Sequence, residues 1–170
     1  MSIQTTFFDS PVGTLVIKVS EDYLHAVLFQ QSLKHPFKET VEITNESILH
    51  PLANECKKQL DEYFTGSRIK FDLPIQQEGT AFQQKVWSAL LSIPYGRTVS
   101  YLELSKRIGD TKATRAVGTT NGSNKISIVV PCHRVIGSNG SLTGYGGDLW
   151  RKKWLLDHEN RFVNGVQTLF

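Results

Sequence analysis

The sequence predicts an α/β (α+β) chain: a small N-terminal antiparallel β-sheet with one helix, followed by a mostly helical part that contains a helix-turn-helix. Three observations carry this expectation. The first 31 residues hold β-branched and aromatic runs broken by turn residues. After Gly79, two Ser/Thr-x-x-Glu/Gln boxes open stripes of helical period. Charge also changes sign there: residues 1–78 carry 7 Lys+Arg against 11 Asp+Glu, and residues 79–170 carry 12 against 5.

Residues 4–8, 14–19 and 23–29 read as strands, separated by the turn stretches Asp9-Ser10-Pro11-Val12-Gly13 and Ser20-Glu21-Asp22. Residues 31–45 are polar and weakly patterned, and read as loop. Leu49, Leu52, Cys56, Leu60, Tyr63 and Phe64 then recur at helical spacing until Gly66 stops the pattern, with Cys56 on the apolar face as a core thiol. Residues 68–73 suit a further strand before Pro74, and Gln76-Gln77-Glu78-Gly79 reads as a linker. These features divide the chain into a supporting domain, residues 1–78, and a second domain, residues 79–170.

In the second domain Thr80 and Gln83 form a capping box for a helix whose stripe is Phe82, Val86, Trp87, Leu90 and Leu91, closed by Pro94-Tyr95-Gly96. Ser100 and Glu103 open a short helix with Leu102, Leu104 and Ile108, stopped by Gly109. A third helix follows almost at once, with Ala113, Ala116 and Val117 as its inner face. Two short helices so joined fit a helix-turn-helix or a plain αα-hairpin. Arg115, Gly118, Thr119 and Gly122 share the outer side of the third helix, leaving nearly bare backbone suited to close approach, with Gly118 alternatively serving tight internal packing. Lys106, Arg107, Lys112 and Lys125 surround it and are candidates for phosphate contacts. Gly137-Ser138-Asn139-Gly140 is a turn. Thr143-Gly144-Tyr145-Gly146-Gly147 is a glycine-rich loop without the Lys-Ser/Thr pair of a nucleotide cradle. Asp148 is expected to cap a last helix bearing Leu149, Lys152, Lys153, Leu155 and Leu156, with Asp157, His158 and Glu159 at its end.

The chemistry centres on Pro131-Cys132-His133-Arg134-Val135, which follows the apolar run Ile128-Val129-Val130. A cysteine reacts as its thiolate, and a neighbouring imidazole or cation is what makes that form accessible near neutral pH. Cys132 is therefore a candidate nucleophile, against the alternative of a small buried apolar side chain. Glu159, set against the helix dipole, needs a partner, and His133 is available. Cys56 and Cys132 read as two free thiols. No Cys/His spacing forms a metal site, since His25, His35, His50 and His158 are scattered. No run approaches the apolar length a bilayer requires and the N-terminus lacks a signal-peptide pattern, so a cytoplasmic protein is expected. The basic second half fits a polyanionic partner, most commonly nucleic acid, or alternatively solvated helix faces.

Together, Ile93-Pro94-Tyr95-Gly96, Ser100-Tyr101, Arg115-Ala116-Val117-Gly118, Pro131-Cys132-His133-Arg134-Val135, Thr143-Gly144-Tyr145-Gly146-Gly147 and Leu155-Leu156-Asp157-His158-Glu159 resemble, in order, the motifs of the O6-alkylguanine-DNA alkyltransferases, of the single-polypeptide bacterial type. The resemblance covers residues 79–161 closely and the N-terminal part in outline. It implies that Cys132 accepts the alkyl group, activated by His133 through a bound water, with Glu159 orienting the imidazole. Tyr101 would donate to guanine N3, and Lys152 would hold the loop and the tyrosine. Arg115 would fill the gap left by the rotated nucleotide. Ala116, Gly118, Lys106, Lys112 and Lys125 would lie on the DNA side. Asn124 would brace the turn before the active site, and backbone at Cys132, Val135 and Gly146 would read the guanine edge.

The implied partner is double-stranded DNA carrying O6-alkylguanine, bound through the minor groove by a monomer. O4-alkylthymine is a second expected substrate, with no cofactor and no metal. Each chain is expected to react once, because a thioether is not readily cleaved. The other readings are a Cys-His-Glu thiol hydrolase and a non-catalytic alkylated-DNA-binding protein. One departure stands out: the family usually has Asn-Pro where this chain has Asn124-Lys125.

Overall fold

The computed structural model describes residues 2–33, 36–38 and 49–164. The expected loop over residues 31–45 lies partly outside that range. Strands β1 (Gln4–Ser10), β2 (Gly13–Val19) and β3 (Leu24–Phe29) form an antiparallel meander in that order. Pairing runs from Gln4 with Val19 to Ser10 with Gly13, so Pro11 and Val12 form a two-residue turn that Gly13 leaves at φ +98°. Helix α1 (Pro51–Thr65) buries Ala53, Cys56, Leu60 and Tyr63 against the sheet, with Leu15, Ile17 and Val27 in the same core. Burial pushes the Cys56 thiol up to about 12, as befits a core thiol. Gly66 closes α1 in the left-handed conformation, φ 87°, its N–H bonding back to the carbonyls of Glu62 and Tyr63.

The strand expected over residues 68–73 does not form. The Gln59 side chain takes the place of a strand partner there, accepting from the Asp72 N–H at 2.8 Å and donating to its carbonyl at 2.9 Å. Pro74 lacks a donor, and its carbonyl accepts from Leu24 N–H at 2.8 Å. Only a single parallel bridge, Leu24 with Ile75, results. A second parallel bridge, Val27 with Ile126, lies further along the same edge of β3. Two segments far apart in sequence thus share one strand edge end to end.

The remaining elements are α2 (Ala81–Leu90), β4 (Val99–Ser100), α3 (Tyr101–Arg107), α4 (Thr114–Gly122), a 3-10 turn (Cys132–Arg134), β5 (Val135–Ile136) and α5 (Leu149–Asn164). The Thr80/Gln83 capping box forms in both directions. The one expected at Ser100 forms in one: Ser100 accepts from Glu103 N–H, while the Glu103 carboxylate pairs with Arg107 at 3.1 Å. Leu91 and Leu102 are exposed, because α2 ends at Leu90 and α3 turns only Leu104 and its neighbour Ser105 fully inward. Helices α3 and α4 pack together as the helix-turn-helix, with α4 starting at Thr114. Of the expected inner face, Val117 is buried and Ala113 packs partly buried against the core, but Ala116 is exposed, and Thr120 and Asn121 turn inward beside Val117. Asp148 precedes α5, but its carboxylate bonds Arg151 at 2.8 Å and Leu33 N–H at 3.1 Å instead of capping. Helix α5 runs on to Asn164, which places Glu159 inside it and not at its end. Among the described residues no helix is long and apolar enough to cross a membrane.

A Cβ built on Gly66 would sit 2.2 Å from the Phe162 ring, on a backbone that already disfavours L side chains. Gly66→Ala should therefore cost about 2 to 3 kcal/mol in urea unfolding. An unchanged midpoint would mean that the ring moves aside freely.

Candidate functional site

Strands β4 and β5 pair in parallel, Val99 with Val135 and Ser100 with Ile136. Since Tyr101 follows β4 directly and the 3-10 turn directly precedes β5, this two-residue ladder aligns the tyrosine with the Cys132 motif. The strap leading to Cys132 reverses at Ile128, φ 72°, a conformation that costs a β-branched residue about 1–3 kcal/mol. It is held by Ser127 N–H to Val27 O and Val130 N–H to Ile126 O, both 3.0 Å.

Cys132 is 4 % exposed. Its Sγ accepts from Asn124 Nδ2 at 3.2 Å, and its carbonyl accepts from Asn121 Nδ2 at 3.2 Å. Burial pushes the thiol pKa up, while the Asn124 donor and the Lys152 charge oppose that rise. The resting group is the protonated thiol, so the thiolate has to be generated by a base. Next to it His133 is fully buried, and its Nε2 bonds Oε2 of Glu159. Burial lowers the His133 pKa against the pull of Glu159, leaving the ring neutral. An ionised carboxylate on Nε2 requires the hydrogen to sit there, which makes Nδ1 the accepting nitrogen. Nδ1 is buried and has no hydrogen-bond partner among the described residues. The site therefore presents a thiol and an unoccupied base.

Glu159 is fully buried in α5 and accepts four donors. Besides His133, Oε2 takes Tyr63 Oη at 2.9 Å; Oε1 takes Arg134 Nε at 2.7 Å and Gly96 N–H at 3.1 Å. Burial alone would raise its pKa, but His133 and Arg134 outweigh that and hold it at about 2. Lys152, also buried, donates to the carbonyls of Val135 and of Thr143, the latter at 2.9 Å, and reaches Tyr101 Oη at 3.5 Å. Burial lowers its pKa to about 8. Tyr101 Oη spends its hydrogen on Thr143 O at 2.9 Å.

The structure therefore holds these residues in three hydrogen-bonded groups: Asn124 with Cys132, Glu159 with His133, and Lys152 with Tyr101 and the carbonyls of Thr143 and Val135. Gly146 lines the same cavity of about 950 Å³ as Cys132, together with Tyr145, Asn121 and Gly122. Its carbonyl is taken by Ser32 Oγ at 2.7 Å. Lys125 lies exposed on the cavity rim. Arg115, Ala116, Lys106 and Lys112 are exposed on α3, α4 and their connection, outside this network. Gly118 faces the Tyr101 ring, where an added Cβ would meet it at 3.7 Å in ordinary contact. Sequence reasoning missed Tyr63, Arg134, Gly96 and Asn121 as partners. Arg134, adjacent to His133 in the motif, is the one whose position could have suggested a carboxylate partner.

The folded Glu159 pKa lies below its ordinary value of 4.5, so its stabilisation is present above that pH and fades as pH falls toward about 2. Glu159→Gln should flatten that acid limb of the stability curve, which is worth roughly 3 kcal/mol from the two pKa values. An acid limb of unchanged depth in the variant would locate the titration elsewhere.

Two family models match the chain, 6-O-methylguanine DNA methyltransferase, DNA binding domain, over residues 81–161, and 6-O-methylguanine DNA methyltransferase, ribonuclease-like domain, over residues 3–77. The constitutive methylated-DNA–protein-cysteine methyltransferase of Bacillus subtilis is 48 % identical over 84 % of this chain and 86 % of its own length. The methylated-DNA–protein-cysteine methyltransferase of Methanosarcina acetivorans is 44 % identical over 89 % and 95 %. The crystal structure of Mycobacterium tuberculosis OGT in complex with DNA superposes with a TM-score of 0.83 at 40 % identity, covering 93 % of each chain. Matched over nearly its whole length in sequence and in fold, the chain belongs to the 6-O-methylguanine DNA methyltransferase family.

Proposed function

We propose that this protein repairs DNA by direct reversal, moving the alkyl group of an O6-alkylguanine irreversibly onto Sγ of its own Cys132, once per chain. The observation that carries this reading is the pairing of a buried thiol with a neutral histidine whose Nδ1 is unoccupied and whose Nε2 is fixed by an ionised carboxylate. The thiol proton passes to Nδ1 of His133, relayed by a bridging water. The thiolate attacks the alkyl carbon, a C–S bond forms, and the C–O electron pair moves into the guanine ring, which leaves as an anion and takes up a proton.

Stabilising that anion falls to Tyr101 Oη, aimed at N3. In the free protein this hydroxyl donates to Thr143 O, so it has to change acceptor, and Lys152 Nζ keeps the vacated carbonyl satisfied. The backbone of Cys132, Val135 and Gly146 is assigned to the guanine edge. Because the Val135 N–H is bonded to the Cys132 carbonyl and the Cys132 N–H to the Val130 carbonyl, the donor assigned there is the Gly146 N–H.

An O6 substituent is buried in the duplex stack, so the nucleotide has to be extruded before Sγ can reach it. The exposed Arg115 at the start of α4 is assigned to the gap that remains, and the small residues Ala116 and Gly118 of that helix to the side that meets the minor groove. Lys106, Lys112 and Lys125 are assigned to phosphates, and the protein to acting as a monomer. The +7 charge of residues 79–170 supports this side of the reading. O4-alkylthymine, with the same O-alkyl linkage, is the second substrate.

Mixing with an O6-methylguanine duplex should leave one methyl adduct on Cys132 by intact-mass spectrometry, and none in Cys132→Ala. Repeated turnover would point to a hydrolase, and absence of an adduct to a lesion-binding protein. Arg115→Ala should slow repair of duplex lesions about tenfold or more while leaving reaction with the free modified base unchanged; equal losses on both would remove the role in extrusion. Raising salt should weaken duplex binding log-linearly.

A further inference from the structure

We propose that Gln77, in the segment joining the two halves of the chain, is a positioning residue for the nucleophile: its amide fixes the Asn124-Lys125 turn and orients Asn124 so that Nδ2 donates to Sγ of Cys132. The inference rests on the reading of Cys132 as acceptor, and it starts from the two parallel bridges on β3. Ile75 pairs with Leu24 and Ile126 with Val27, three residues further along the same edge. The chain leaving Ile75 and the chain arriving at Ile126 therefore meet, and Gln77 comes beside Asn124 and Lys125. Further bonds pin the segment: Gln76 N–H to Leu24 O at 3.0 Å, and Gln84 Nε2 to the Gln77 carbonyl.

The Gln77 amide is used in both directions. Its Oε1 accepts from Lys125 N–H at 2.9 Å, which fixes its Nε2 as the donor to Asn124 Oδ1 at 2.8 Å. Oδ1 also accepts from Ile126 N–H at 3.1 Å. With two donors on its oxygen, Asn124 has to turn Nδ2 the other way, toward Val130 O at 2.9 Å, Ile126 O at 3.3 Å and Cys132 Sγ at 3.2 Å. The flipped amide would set Oδ1 against two carbonyls and repel a thiolate. Lys125 supplies the N–H that starts this chain of bonds. A proline at 125 would stiffen the turn through its ring but could not donate. This chain therefore replaces ring rigidity with a hydrogen bond from the segment between its halves.

The test reads the thiol directly. In the full-length protein, the pH dependence of Cys132 carboxamidomethylation by iodoacetamide is followed by peptide mass spectrometry, beside transfer from the free base O6-benzylguanine. Gln77→Ala removes both contacts. Gln77→Glu keeps the chain length and the acceptor for Lys125 N–H but turns the donor to Asn124 into an acceptor, so it remains informative if the alanine variant does not fold. Both variants should react about tenfold more slowly at neutral pH, with the midpoint of the profile raised by about one unit. Because Gln77 acts through Asn124, Gln77→Ala combined with Asn124→Ala should be no slower than Asn124→Ala alone. Unshifted midpoints in both Gln77 variants, or losses that add in the double variant, would overturn the proposal. If the wild type shows the iodoacetamide profile and its Gln77 dependence but never accepts the benzyl group, the positioning role stands and the proposed reaction falls.

Discussion

The carboxylate of Glu159 is the interaction on which the rest of the site depends. A buried charge is expensive unless it is paired and hydrogen-bonded. Glu159 meets that requirement with four donors from three places: Tyr63 on α1, Gly96 after α2, and His133 and Arg134 in the cysteine motif. One side chain on the last helix thereby fixes α1, the approach to the helix-turn-helix and the Cys132 motif relative to one another. The same bonds keep the carboxylate ionised, which decides the tautomer of His133 and leaves its inner nitrogen to accept a proton. Stability and reactivity here share a single group, so a substitution at any of the four donors is felt by both.

The proposed nucleophile is held back. Burial opposes ionisation of Cys132, while the Asn124 donor and the Lys152 charge favour it. Neither influence makes the thiol strongly acidic at rest. Such a balance suits a group that is used up when it reacts, since a permanently exposed thiolate would meet oxidants and stray electrophiles first. Lys152 shows the same economy: one buried ammonium holds two carbonyls and the tyrosine hydroxyl, and its charge reaches the sulfur as well.

Much of this was legible in the sequence because the relevant spacing is local. Thr80 with Gln83, the Gly66 stop and the β-branched and aromatic runs of the first strands with their turns depend on neighbours a few residues apart, and all appear as read. Cys132 and His133 are adjacent, and Glu159 could be matched to them because a carboxylate late in a basic helix, set against its dipole, calls for a partner. The partners of those residues were not legible. Tyr63 lies 96 positions from Glu159, and Gln77 lies 47 from Asn124, so neither pair leaves a period to read. Tyr63 was indistinguishable from its apolar neighbours on α1, because its ring packs as they do and only the hydroxyl is different. The missing strand over residues 68–73 failed for a related reason: β-forming residue types were present, but a glutamine from α1 occupied the hydrogen bonds a ladder would need.

The edge of β3 carries a further consequence. A strand edge left open offers a row of unpaired amides to any other extended chain, and a three-stranded meander has two such edges. Here one is covered by two short stretches, from the segment between the halves and from the strap before the cysteine motif, neither of them long enough to be a strand. The strap of the second half thus guards the Val27 end of that edge, while residues 74–76 cover the Leu24 end. Without them, the sheet would present that edge to solvent and to its own copies. The cover that brings Gln77 to Asn124 is also what keeps a small sheet from seeking partners outside the chain.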